Sequence, residues 1–192
     1  MTEFSFYFKQ GIDHITDLQG FDHMLFIISL CAVYRVEQWR KVLILITAFT
    51  VGHSVTLALT ALDFIKVDQS LVEFLIPLTI LATCIFNILQ PGKSKAAISV
   101  NYFLALVFGL IHGMGFSNFF KTMMMGISEN IVLPLLSFNL GIEAGQLMII
   151  LLFAIVLFVF TRILKVSHRD WVLFISGIGA GLASEMILKG FV

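Results

Sequence analysis

Residues 20–28 read GFDHMLFII. A glycine, an acid and a histidine run straight into Met24, Leu25, Phe26, Ile27 and Ile28. Nothing in a soluble fold asks an Asp-His pair to be followed at once by such a run. A membrane helix that opens on two groups able to titrate or to bind a metal is the reading that fits.

The rest of the chain supports it. Of 192 residues, 59% are hydrophobic and only 12% charged, and the mean hydropathy is +1.00. A soluble domain is nearer half apolar and a quarter charged. The apolar excess comes in blocks of about twenty residues, the length that crosses a bilayer. The expected fold is an all-α integral membrane bundle of about six transmembrane helices, a single domain over 1–192. The net charge is zero, so no broad basic surface invites nucleic acid. Cys31 and Cys84 both lie within apolar runs and are expected to pack as small hydrophobes. The opening MTEFSFYFKQ lacks a basic segment followed by an apolar stretch, so no cleaved signal peptide is expected.

The six spans fall at about 21–36, 40–62, 70–89, 97–118, 131–163 and 171–190. Residues 1–19 mix aromatics with Lys9, Asp13, His14 and Asp17, which suits an interfacial segment. The first span is short. The fifth would reach about 50 Å at 1.5 Å per residue, and it carries Pro134 and Gly141, so a broken fifth helix is expected. Eight of the twelve lysines and arginines, among them all four arginines, sit in the loops after the first, third and fifth spans. The positive-inside rule makes those loops cytoplasmic and puts both termini outside. The setting is then a bacterial-type inner (plasma) membrane.

Ionisable side chains within a bilayer are costly and are functional candidates by default. Placed by depth along their spans, Asp22, His23, His53, Glu73, His112, Glu143 and Glu185 all fall in the outer half, and none falls in the inner half. A single polar pocket that opens outward would produce that segregation. Local patterns agree. Ser54 lies within a turn of His53. Gly109, Gly113 and Gly115 surround His112 and permit close helix approach. Asn139, Glu143 and Gln146 share one helix face. Imidazole with carboxylate suits zinc, nickel, cobalt or ferrous iron rather than soft copper. Histidines from different helices at one depth would give a site of three or four nitrogens, with Asp22 or Glu143 to complete or support it. For Asp13 and His14, metal binding and an interfacial role stand even.

The blocks GIDHITDLQGFDHMLF, FTVGHSVTLAL, LVEFLIPLTI, FGLIHGMGF and FNLGIEAGQL, in this order from Gly11 to about Leu147, resemble the HupE/UreJ family of membrane proteins. The resemblance implies a bundle of about six helices concerned with nickel or cobalt, and a permease role. It maps the family's histidine-rich pattern onto His14, Asp22 and His23, then His53, His112 and Glu143. Ile15 stands where the nickel branch carries proline, and the step from His14 to Asp22 is longer by two, so the chain is closer to a second branch.

Three functions follow. The first is a divalent transition-metal permease for nickel, cobalt or zinc, with metal ion and lipid as its partners and the oligomeric state open. Its site would be His14, Asp22, His23, His53, His112 and Glu143, supported by Asp13, Ser54, Glu73, Asn139, Gln146 and Glu185. The second is an intramembrane zinc hydrolase acting on a lipid or membrane peptide at the outer leaflet, with Glu143 or Asp22 as general base; the chain has no HExxH motif. The third is a protein whose metal is structural.

Overall fold

The structure, a computed structural model, describes residues 2–18, 20–89, 95–124 and 131–190. Lys93 of the expected basic third loop and residues 125–130 of the fourth loop lie outside the described residues. Seven α-helices follow in order: α1 (Glu3–Thr16), α2 (Asp22–Cys31), α3 (Trp39–Ala61), α4 (Gln69–Leu89), α5 (Lys95–Met124), α6 (Val132–Phe158) and α7 (His168–Gly190). Among the described residues there is no strand. Among the described residues, five stretches are long and apolar enough to cross a membrane: Val36–Ala61, Gln69–Leu89, Asn101–Met124, Val132–Ile163 and His168–Gly190.

The first expected span is not among the five. Its helix, α2, has ten residues, about 15 Å at 1.5 Å per residue. The segment expected at the interface precedes it as a second short helix. α1 packs lengthwise along α6, with Tyr7, Gly11 and Ile15 buried. It runs parallel to α6: Phe8 lies against Gly141, and Ile15 against Gly145. α2 continues the same way, and Val33 and Glu37 beyond its end meet His168 and Arg162 beyond the end of α6. α1 and α2 thus form one interrupted helical run with about 36 Å of helix in all.

The long fifth span is interrupted elsewhere than its proline. Pro134 stands in the first turn of α6, where no intrahelical donor is lost. The departure from α geometry comes at the other end, in a π turn at Val159–Ile163.

Two ends of the bundle can be told apart. At one, all four arginines gather: Arg162 pairs with Glu37, Arg35 precedes α3, Arg40 opens it, and Arg169 opens α7. This is the arginine end. At the other, Lys121 of α5 pairs with Asp63, just past α3. There the ammonium holds the Asp63 carboxyl below the usual carboxylate range. α3 and α5 both run from the arginine end to the Asp63 end. They touch through backbone: a Cβ on Gly109 would collide with the Phe49 carbonyl, and one on Gly113 with the His53 carbonyl. That contact sets the spacing of two helices that each carry a histidine.

Candidate metal centre

The interrupted run of α1 and α2 delivers three side chains to one place. His14 is in the last turn of α1, and Asp22 and His23 open α2. The break between the helices turns both ends toward α3 and α5. There His53 arrives about 12 Å, and His112 about 18 Å, short of the far ends of their helices, counted at 1.5 Å per residue.

Donor atoms of His14, His23 and His53 lie within 4.8 Å of one another, and so do those of Asp22, His23 and His112. His23 belongs to both groups. Ring centroids separate His14 from His23 by 4.6 Å and His23 from His112 by 4.8 Å. His23, His53 and His112 are 5%, 0% and 1% exposed. Asp22 Oδ1 lies 2.9 Å from His23 Nδ1 and accepts from the His23 backbone N–H at 2.9 Å. With Nδ1–H donated to the carboxylate, the lone pair of His23 is on Nε2.

The remaining nitrogens are conspicuous for what they do not bond. His14 Nε2, His23 Nε2 and both ring nitrogens of His53 and His112 are buried without a hydrogen-bond partner. A buried polar atom left unpaired costs about 1–3 kcal/mol, and such atoms are rare in folded proteins. Six in one cluster of four imidazoles, each ring with one lone pair to give, beside a carboxylate, fit a donor set for a borderline divalent cation.

A cavity of about 240 Å³ reaches the cluster from its flank, lined by His14, Asp17, Asp22, Glu73 and His112 among others. A second, of about 450 Å³, touches His14 from the α1 side, past Gln10 and Asp13. Both are lined by Asp17 and Phe116. The Phe116 ring packs on His14 at 3.8 Å between centroids. Nothing in the sequence pointed to Phe116 except its place one turn after His112.

The other expected site residues belong to neither donor group, though the Asn139 side chain reaches His53. Glu143 accepts a hydrogen bond from Thr47 Oγ1 at 3.0 Å, across the α3–α6 seam. Gln146 accepts from Thr50 at 2.8 Å one turn away. Asn139 donates to the Leu135 carbonyl at 2.8 Å, and Ser54 to that of Thr50 at 2.7 Å. Asp13 pairs with Lys9 on the surface, and Glu185 with Lys189 at 2.7 Å. Glu73 lines the smaller cavity.

Comparison with known families decides the affiliation. A family model described as HupE / UreJ protein matches residues 1–189. The chain belongs to the HupE/UreJ family. This family is nickel/cobalt transporter-like, and with the five apolar helices the affiliation supports an integral membrane protein. No curated protein and no solved structure matches it.

Proposed function

We propose that this HupE/UreJ protein is a permease for a divalent transition metal of the nickel, cobalt or zinc type, and that the ion binds where α1, α2, α3 and α5 converge. The observation that carries the reading is the set of six unpartnered, buried imidazole nitrogens around His23. Asp17, Asp22 and Glu73 line the smaller cavity; carboxylates at its wall draw cations in and raise their local concentration. Asp22 fixes the ring of His23, and its charge offsets part of the ion's. His23 is common to both donor groups, so an ion held with Asp22 and His112 can pass to His14 and His53 without leaving the ring.

The site lies in the half away from the arginines. By the positive-inside rule it faces outward across a bacterial-type inner membrane, with both termini outside. Transport is favoured over hydrolysis because Glu143, one of the two candidate bases, is engaged by Thr47 rather than by the histidines.

The test is twofold. Equilibrium dialysis of the purified protein against Ni²⁺, Co²⁺ and Zn²⁺ should give saturable binding that the double variant H53A/H112A lacks. Proteoliposomes should accumulate the ion that binds, and the double variant should not. Uptake unchanged in the double variant would refute the permease.

A further inference from the structure

Each histidine-bearing helix at the core of the cluster carries a phenylalanine one turn nearer the arginine end. α2 runs toward that end, and Phe26 follows His23 by three. α3 and α5 run away from it, and Phe49 and Phe108 precede His53 and His112 by four. Phe26 joins the three rings: it lies 5.3 Å from Phe49 and 5.3 Å from Phe108, between centroids. They also form the floor of the site, since Phe26 and Phe49 lie 5.3 and 5.4 Å from His112. They are 0%, 1% and 7% exposed.

Beyond this layer the buried groups change character. Ser29, one turn past Phe26, takes Cys84 Sγ at 3.3 Å, and its carbonyl takes Asn87 Nδ2 at 2.8 Å. Further on, Asn101 donates to Tyr34 at 3.2 Å. Among the described residues, the buried groups on that side include no carboxylate and no imidazole.

We infer that Phe26, Phe49 and Phe108 form an aromatic septum that closes the metal cluster from the arginine half, and that parting these rings is the step that releases the ion. The inference rests on the permease reading. A divalent ion leaving the imidazoles through a dry phenyl layer would lose its ligands with nothing to replace them. An apolar constriction of this kind blocks ions until it is wetted. Past it, hydroxyl, amide and carbonyl oxygens resume. The ring packing also ties the septum to the site, because Phe26 and Phe49 both touch the His112 ring. An ion that draws His112 toward His23 therefore shifts the neighbours of the rings that bar its way.

Cys84, one turn beyond the septum, is a native reporter. In a C31S background it is the single thiol. Its rate of reaction with a small, water-soluble methanethiosulfonate should be low in the otherwise native protein and at least about tenfold higher in F26A or F49A, as the septum wets. Saturating Ni²⁺ should suppress the gain if the reagent comes through the cluster. In proteoliposomes holding a Ni²⁺-quenched dye, F26A and F108A should leak Ni²⁺ down its gradient. F108W should slow uptake while binding Ni²⁺ at native stoichiometry. F26L and F49L carry the test if the alanine variants lose Ni²⁺ binding through misfolding. Leak in the septum variants from a native protein that moves no Ni²⁺ would uphold the septum and refute the permease. Variants that bind Ni²⁺ normally, yet change neither Cys84 reactivity nor Ni²⁺ flux, would overturn the septum.

Discussion

Two parallel helix pairs in this molecule meet through the same device. In α3–α5, Gly52 sits on the Leu106 carbonyl and Gly109 on that of Phe49. In α1–α6, Gly11 sits on the Phe138 carbonyl and Gly141 on that of Phe8. In each case a glycine meets the carbonyl three residues before its partner's glycine. The pairs run in opposite directions, and their side chains differ. The residue after the first glycine is His53 in α3 and Ile12 in α1; the residue three past the second is His112 in α5 and Ala144 in α6. His14, three past Gly11, corresponds to the exposed Val55. The backbone contact therefore fixes how near two helices lie, and says nothing of what they carry. In the α3–α5 pair both helices bring a donor; in the α1–α6 pair only α1 does.

The largest effect should come from His23→Ala, which takes a donor from both groups. Loss of Ni²⁺ affinity should exceed the roughly 10–100-fold that removing a supporting partner costs. The thermal stabilisation by Ni²⁺, about 2.7 kcal/mol at a hundred times Kd, should vanish with it. His53→Ile makes α3 resemble α1 at the aligned position. It should also abolish Ni²⁺ binding, yet raise or preserve the melting temperature of the metal-free protein, because it replaces two unpaired buried nitrogens by a hydrocarbon. Native Ni²⁺ binding by the isoleucine variant would end the comparison.

Next come the glycines. Gly109→Ala and Gly141→Ala each push a methyl into a carbonyl, and overpacking of this sort costs about 1–3 kcal/mol. Melting temperatures should fall alike. Dialysis should separate them, since Gly109→Ala displaces two donors and Gly141→Ala only His14. Equal losses of Ni²⁺ affinity would mean that the α1–α6 spacing matters as much as the α3–α5 spacing. Asp22→Asn should then cost about 10–100-fold in affinity, because the amide still accepts from His23 but no longer carries the charge that polarises its ring and offsets the ion's.

Much of this was legible in the sequence because a bilayer is a demanding solvent. Hydrocarbon requires about twenty apolar residues to a helix, so five spans stand out by hydropathy alone. The first expected span does not, because its helix has only ten residues. α1 turns Lys9 and Asp13 to the surface and buries only Tyr7, Gly11 and Ile15, so its composition reads as interfacial and does not reveal that it packs lengthwise along α6. Depth was legible for Asp22, His23, His53 and His112, since counting residues along a helix measures it. Direction around the helix was not. Glu143 shares their half, but α6 presents it to Thr47, and a span that is apolar all round offers no period from which to read a facing. His14 came by resemblance, because a break between two short helices leaves no hydropathy signal. The same reasoning puts a smaller effect on Glu143→Gln. The amide keeps an acceptor for Thr47, so Ni²⁺ affinity should stay within about threefold, well short of the 10–100-fold loss that marks a supporting partner. A loss of that larger size would mean that Glu143 swings into the ion's shell.

The smallest effect should carry the opposite sign and come from α7. Gly177 and Gly181 repeat the four-residue spacing of Gly109 and Gly113, but a Cβ on either meets nothing within 4 Å. With no carbonyl to collide with, alanine only removes the helix penalty of glycine, about 0.8–1.0 kcal/mol in a helix interior. Gly177→Ala and Gly181→Ala should therefore leave the melting temperature unchanged or raise it slightly, and leave Ni²⁺ binding untouched. The contrast with Gly109→Ala isolates the cause, because residue type and spacing are the same and only the neighbour differs. If Gly177→Ala instead lowered the melting temperature as far as Gly109→Ala, another helix would have to cover that face in the membrane. The glycine spacing would then mark a contact in all three places rather than two.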